Sequence, residues 1–129
     1  MCQRPTNSTE AKADYNGKAN TAAIIAGYAA LSKDMNSRDM CKVLETYNEG
    51  GYTDWYVPAA GQLYEIYTNV TDINTALTAI SGTAFASYGH WSSSERSADD
   101  ACLVNFGTGN VTFDDKNDYS SVRFVRDLQ

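Results

Sequence analysis

The sequence predicts an α+β fold, with helices in the N-terminal half and a small antiparallel sheet in the C-terminal half. Two observations indicate this. Apolar residues recur at helical spacing as far as Gly82, and after Gly82 the pattern changes to short β-type segments separated by turn residues. Helices that come first and strands that come later are typical of α+β domains and not of alternating parallel units.

Each predicted helix has a start signal, and three of the four have an apolar face. A Ser or Thr that precedes a helix can accept hydrogen bonds from the first free N–H groups, and proline fits the first turn because it lacks an N–H. Gly50-Gly51 and Gly82 are stop signals. The start signals are Thr21 (for a helix over 22–31), Ser37, Pro58 and Thr71, and the faces are Met40-Val43-Leu44-Tyr47, Leu63-Ile66-Tyr67-Val70 and Ile73-Leu77-Ile80.

Four short segments of β character follow the helices. They are too few for a sandwich and suit a small sheet with long functional loops. The segments are 90–95, 101–106, 110–113 and 122–128. Residues 1–13 are polar and without pattern, and we interpret them as a ragged N-terminal segment before one domain over 14–129. Trp55 and Trp91 are predicted to lie in its core.

Composition narrows the function classes. The 129 residues suffice for one domain with a real core, and the net charge of −6 disfavours nucleic acid as a partner. No apolar run approaches the length of a membrane span, and no signal peptide is visible at the start. The cysteines Cys2, Cys41 and Cys102 match neither a disulfide framework nor a metal motif, so we predict free thiols, no metal and no cofactor.

The last forty or so residues look like a fixed set of scaffold positions, here called the frame, with other residues inserted between them. From Arg96 to Ser121 there is no Glu, Gln, Met or Trp and a single Lys, Lys116. Replacing the adenines of an Asn codon by any base never yields Lys, Glu, Gln, Met or Trp. The insertions are therefore what randomised Asn codons would leave, although turn-rich loops favour Asn, Asp, Ser, Thr and Gly for conformational reasons alone.

The frame itself resembles a known family. Three parts of the chain carry the resemblance: the segment from Gly50 to Pro58, the run Trp91-Ser-Ser-Ser-Glu95, and the end from Val122 to Arg126. They are similar to segments of the variable proteins of diversity-generating retroelements, of which the phage major tropism determinant is one kind. The segment from Asp14 to Thr21 is similar to members from gut bacteria and their phages. The resemblance implies a C-type-lectin-like fold. The Glu-Pro-Asn and Trp-Asn-Asp motifs of calcium-dependent sugar-binding lectins are absent.

The resemblance also implies a function. A reverse transcriptase copies an invariant template with errors at adenines and writes the copy into the 3′ part of the gene. The varied side chains then form one solvent-facing patch that binds a ligand, often a protein on a host or competitor surface. In this chain the variable region is about 89–126, and the candidate ligand-binding positions are His90, Arg96, Ala98, Asp99, Asp100, Cys102, Leu103, Thr108, Thr112, Phe113, Asp114, Asp115, Asp118, Tyr119, Ser120 and Phe124.

The sequence contains only weak indications of catalysis or of a bound cation. His90 is the only histidine and lacks a nucleophile pattern. The Asp residues of the variable region lack calcium-loop spacing, so they indicate a bound cation less well than a negative surface that attracts basic partners. The run Ser92-Ser93-Ser94 lacks a nucleophile elbow and is predicted to bond buried backbone groups. Glu95 is predicted to pair with Arg123 or Arg126.

The leading hypothesis is an extracellular recognition domain without turnover, at a phage tip or on a bacterial surface as part of a longer protein or assembly. One alternative is an undiversified structural or adhesin tip module. The less favoured alternative is an enzyme related to formylglycine-generating enzymes. Alkylating Cys102 would inactivate such an enzyme and only perturb a binder. The oligomeric state is left open by the sequence.

Overall fold

Five helices precede a three-stranded sheet in the computed structural model, which describes residues 4–30, 40–97, 99–116, 118 and 120–127. This arrangement confirms the predicted α+β fold. The predicted N-cap Ser37 lies outside the described residues. The elements are α1 Ser8–Lys12, α2 Gly17–Ala30, α3 Met40–Glu45, a 3₁₀ turn Glu49–Gly51, α4 Ala60–Thr68, α5 Val70–Ala79, β1 Gly89–Glu95, β2 Asp100–Asn105 and β3 Val111–Asp115.

Helix α1 corrects the prediction of a pattern-free start. The side chain of Asn7 accepts a hydrogen bond from the backbone N–H of Glu10 at 2.9 Å, and the Glu10 carboxylate accepts one from the N–H of Thr6 at 2.8 Å. These two reciprocal bonds satisfy N–H groups at the start of the helix. Ala11 is fully buried in the core, so α1 belongs to the domain.

Two helices begin earlier than predicted, and one begins later. Helix α2 starts at Gly17, and Thr21 lies within it, where its hydroxyl donates to the carbonyl of Gly17 and accepts from the N–H of Val57. Helix α5 starts at Val70, ahead of the predicted cap Thr71. Helix α4 starts at Ala60, two residues after the predicted proline start. For α2, the bonds of Thr21 to Gly17 and Val57 show why this residue lies inside the helix and does not cap it.

The sheet has the order β1-β2-β3 and is antiparallel throughout. The predicted fourth strand over 122–128 is wrong for the described residues. Instead the C-terminal segment bridges β1 at Ser121, whose carbonyl accepts from the N–H of Trp91 at 2.8 Å, and then pairs Val125 with Tyr56. Because the segment passes from one partner to another, no continuous ladder forms.

The core lies between β2 and helices α1 and α4. Its buried cluster includes Leu63 and Ala60 from α4 and Val104 from β2. Gly61 packs so closely that a Cβ there would lie 2.5 Å from the carbonyl oxygen of Asp14, which accepts the N–H of Gly61. Trp55 and Trp91, predicted to be core, are half-buried. Among the described residues no helix has both the length and the apolarity to cross a bilayer.

Candidate functional site

The β2–β3 hairpin carries many of the candidate positions, and its register assigns them to two faces. Leu103 pairs with Thr112, and Cys102 pairs with Phe113. Since successive residues of a strand point to opposite sides, Phe113 shares the helix-facing side with Cys102, whereas Thr112 shares the other side with Leu103. Phe113 is half-buried and packs against the core cluster, while Thr112 is exposed.

A stacked pair marks the end of the sheet where β1 passes into β2. The guanidinium carbon of Arg96 lies 4.6 Å from the ring centroid of Phe113, and the same side chain pairs with the carboxylate of Asp100. The hydroxyl of Ser97 accepts from the N–H groups of Asp99 and Asp100. These bonds order the turn. We call the set Arg96, Asp99, Asp100, Phe113, Asp114 and Asp115 the stacked end of the hairpin.

The stacked end has an excess of negative charge. Its cation, Arg96, is neutralised by Asp100, and the neighbouring Lys116 pairs with Glu95. Asp99 and Asp114 are exposed acids on the same end. Among the described residues no group of three or more His, Cys, Asp or Glu side chains could hold a metal ion.

A network of buried polar groups connects β1 to segments beside helices α2 and α4. The carboxylate of Asp14, which is 8% exposed, accepts from the N–H of Asn16, the amide of Asn20 at 3.0 Å and the hydroxyl of Ser94 at 2.8 Å. The Ser94 hydroxyl in turn accepts from the N–H of Ala60. The network therefore joins the turn before α2, the start of α4 and the C-terminal end of β1.

The serine run behaves largely as predicted. Ser92 donates to the carbonyl of Cys102 at 2.7 Å, and Ser94 accepts from a buried backbone N–H. The hydroxyl of Ser93 is buried and has no hydrogen-bond partner among the described residues. Two of the three hydroxyls thus satisfy buried groups around the sheet.

Comparison with models of protein families shows which family the chain belongs to. The family model described as the Lcl C-terminal domain matches residues 4–126, which is nearly the whole chain. The chain belongs to the Lcl C-terminal domain family. Neither the curated proteins nor the solved structures give a match to it. Membership in this family supports the predicted relationship to lectin-like recognition modules.

In this Lcl C-terminal domain, three candidate positions are not solvent-facing. His90 is 2% exposed, Cys102 is fully buried and Leu103 is 6% exposed. The prediction that they belong to an exposed patch is wrong, because β2 is the central strand and His90 lies inside an aromatic cluster. The ring of His90 is 4.6 Å from Phe106, measured between centroids. The unbroken apolar run from Ala101 to Val104 was the local signal that could have predicted burial on both faces of β2.

The remaining candidates of the Lcl C-terminal domain do not form one patch either. Thr108 is exposed in the turn between β2 and β3, at the opposite end of the hairpin from Asp100. Phe124 lies on the far side of β1, where its ring packs 4.8 Å from that of Tyr47. Ser120 is half-buried and Asp118 is exposed. Ala98 and Tyr119 lie outside the described residues.

The predicted ion pair between Glu95 and an arginine of the C-terminal segment is wrong. Glu95 pairs with Lys116 and Arg4, because the end of β3 and the N-terminal segment both lie beside it. Arg126 instead makes two hydrogen bonds to Asp54, at 2.8 and 3.0 Å. Arg123 lies 4.1 Å from the ring centroid of Phe85 and donates to the carbonyl of Thr83.

Cys102 and His90 are two side chains of this Lcl C-terminal domain with nucleophilic or acid–base character, and both are buried. Burial raises the pKa of the Cys102 thiol to about 12, so the reactive thiolate is scarce at neutral pH. Burial lowers the pKa of His90, which is therefore neutral near pH 7. Its Nδ1 lies 2.9 Å from the carbonyl of Tyr88, and because a carbonyl only accepts, Nδ1 carries the proton.

We expect His90 to make the Lcl C-terminal domain less stable in mild acid. The unfolded chain binds a proton at His90 below its ordinary pKa of 6.5, whereas the folded chain resists it until lower pH. The free energy of unfolding should therefore fall as the pH drops below that value. Urea denaturation at about pH 7 and about pH 5.5 measures this, with His90→Phe as the comparison. An equal loss of stability in both proteins would contradict it.

Proposed function

We propose that this domain is a ligand-recognition module whose binding surface is the stacked end of the hairpin, diversified in sequence and acting without turnover. The observation that carries the proposal is the stack of the exposed Arg96, in the turn between β1 and β2, on the half-buried Phe113 of β3. Arginine and aromatic side chains dominate the energetics of protein interfaces. The surrounding carboxylates give adaptable polar contacts.

The position of the stacked end relative to the core supports this function. The side chains of the stacked end, except for the half-buried Phe113, lie outside the core cluster. Strand β2, next to them, is buried on both faces. A rigid base with variable exposed side chains allows the surface to change while the fold is kept. The raised pKa of Cys102 and the buried His90 favour binding over turnover.

The charge of the stacked end favours a basic partner. Arg96 and Lys116 are paired within the molecule, and Asp99 and Asp114 are exposed. Complementary charge speeds encounter and selects partners more than it adds affinity. The partner we propose is a protein with a basic surface on a host or competitor cell, met by a domain located at a phage tip or on a bacterial surface.

The diversification is tested on DNA. We expect the DNA near the gene to contain a near-copy of the segment coding Gly89 to Arg126, next to a reverse-transcriptase gene. The copies should differ only at adenines, and the mismatches should fall on codons for exposed residues such as Arg96, Asp99 and Thr112. The absence of any copy would contradict diversification and favour the undiversified adhesin module.

The binding role is tested on the protein. An array of purified bacterial surface proteins should yield a ligand whose capture is weakened at least about tenfold by Phe113→Ala or Arg96→Ala, which is about 1.4 kcal/mol. Thr75→Ala on α5, an exposed position away from the hairpin, is the matched control. Thermal unfolding shows that the variants remain folded. Equal capture by the wild-type protein and both folded hairpin variants would contradict this surface assignment.

A further inference from the structure

Strand β3 lies at an edge of the sheet that no other described segment pairs with. The sheet has the order β1-β2-β3, so β1 and β3 are its outer strands. The C-terminal segment bridges the outer side of β1, where the carbonyl of Ser121 accepts from the N–H of Trp91 at 2.8 Å. No strand or bridge among the described residues pairs with the outer side of β3. Pairing therefore covers the sheet on one side and not on the other.

The register of the hairpin shows which backbone groups lie on the outer side of β3. The N–H of Asn105 donates to the carbonyl of Asn110 at 2.9 Å. Because bonded and non-bonded pairs alternate along an antiparallel ladder, Thr112 bonds β2, whereas the N–H and carbonyl groups of Val111 and Phe113 point away from β2. No hydrogen bond from the described part of the chain reaches these outward groups. We call them the β3 edge.

Helix α1 contacts β3 but does not pair with the β3 edge. Ala11 of α1 belongs to the same core cluster as Val104 and Val111. These two valines pair across the hairpin and therefore share one face of the sheet. Helix α1 thus packs on a face of the sheet, at right angles to the direction in which the β3 edge points.

The residues of β3 protect its edge from copies of the same chain but not from a basic strand. Natural edge strands are commonly blocked by Pro, by Lys or by a bulge. Strand β3, Val-Thr-Phe-Asp-Asp, contains neither Pro nor Lys, and its pairing with β2 is regular. Its charges are those of Asp114 and Asp115, both exposed, and they repel another chain with a net charge of −6. The same charges attract a basic segment.

We propose that the β3 edge accepts an extended, basic segment of the partner protein as an additional strand of the sheet. This inference rests on the proposed recognition function, since it states how the partner binds beside the stacked end. When a strand adds to a sheet edge, main-chain hydrogen bonds give affinity and alternate side chains give specificity. Val111 and Phe113 would supply the main-chain donors and acceptors.

The two faces of β3 define the sequence that the added strand needs. On one face its side chains would lie beside Thr112 and Asp114, both exposed, where a Lys or Arg gains from the opposite charge across the pair. On the other face they would lie beside the half-buried Phe113, where an apolar side chain would extend the packing around the core cluster. The ligand class is therefore a segment in which basic and apolar residues alternate.

Amide hydrogen exchange, followed by NMR on the whole chain, tests this inference. The probe is a short peptide with blocked ends in which lysine and valine alternate. We expect it to slow the exchange of the N–H groups of Val111 and Phe113 by at least about tenfold, because both would gain a hydrogen-bond partner. The N–H of Thr112, which already bonds β2, should change little. A peptide of the same sequence with methylated backbone nitrogens has the same charge and should not slow the exchange.

Charge reversal tests the basic character of the segment. Asp114→Lys should weaken binding of the lysine–valine peptide severalfold, since it places like charges across the strand pair. Asp72→Lys makes the same change at an exposed position of α5 and should leave binding nearly unchanged. Circular dichroism shows whether both variants are folded. An equal loss of binding in the two variants would show that only the net charge matters and would overturn the inference.

The outcomes distinguish strand addition from the recognition function itself. Strand addition is overturned if the peptide does not bind, if the methylated peptide binds equally well, or if binding leaves exchange at Val111 and Phe113 unchanged. None of these results touches the protein-array test with Arg96→Ala and Phe113→Ala, because contact through side chains alone requires no added strand. That test decides whether the stacked end is a recognition surface, and the exchange test decides how the partner's backbone binds there.

Discussion

Cys102→Asp is expected to unfold the protein, whereas Thr112→Asp is expected to leave it folded. Both positions are candidates for sequence variation, and both can become Asp through a randomised Asn codon. Cys102 is fully buried in the core, so a carboxylate there has neither water nor a cation to stabilise it. An uncompensated buried charge costs roughly 3–5 kcal/mol, a large part of the stability of a small domain.

The comparison with Thr112→Asp isolates the effect of burial. Thr112 lies on β3, next to Leu103 across the hairpin, and is exposed. Surface substitutions usually change stability by no more than about 0.5 kcal/mol. Urea denaturation of the two variants measures the difference. Equal stability would mean that β2 can open toward solvent, and the assignment of Cys102 to the core would then be wrong.

Asp14→Ala is the second change with a large expected effect. It removes the acceptor for three donors, the N–H of Asn16, the amide of Asn20 and the hydroxyl of Ser94. Because each buried donor left without a partner costs about 1–3 kcal/mol, we expect a loss of about 3 kcal/mol or more in the free energy of unfolding.

Asp118→Ala serves as the control for Asp14→Ala, since Asp118 is exposed. Thermal and urea unfolding of both variants measure the difference. Asp14→Asn keeps one acceptor oxygen but directs an amide toward two donors, so we expect intermediate stability. If Asp14→Ala were as stable as the control, the network would not be what holds β1 to the start of α4.

Much of the fold follows from local sequence signals. The face of α4 with Leu63 reflects periodicity, which depends only on neighbouring residues. The positive φ of Gly50 and Gly51 suits the predicted turn, but helix α3 already ends at Glu45, ahead of the predicted stop, and both glycines lie in the 3₁₀ turn that follows. Such features are predictable because the chain needs no distant partner to form them.

The features that sequence reasoning missed depend on distant partners. Thr21 looks like a helix cap, but it lies inside α2 and bonds Val57, which is far along the chain. The burial of Leu103 depends on the segments that cover the second face of β2. The apolar run from Ala101 to Val104 indicates burial on both faces but does not identify those segments. Sequence reasoning therefore did not separate the exposed candidate positions from the buried ones, His90, Cys102 and Leu103.

The C-terminal segment makes correct folding depend on the reading frame of the gene across the hairpin. Val125, Arg126 and Asp127 bond Tyr56 and Asp54, and all three follow the hairpin in the chain. Inserting or deleting a single nucleotide between Arg96 and Ser121 would replace all three residues at once. A frameshifted chain would then lack these bonds to Tyr56 and Asp54, and we expect it to be a substrate for proteolysis.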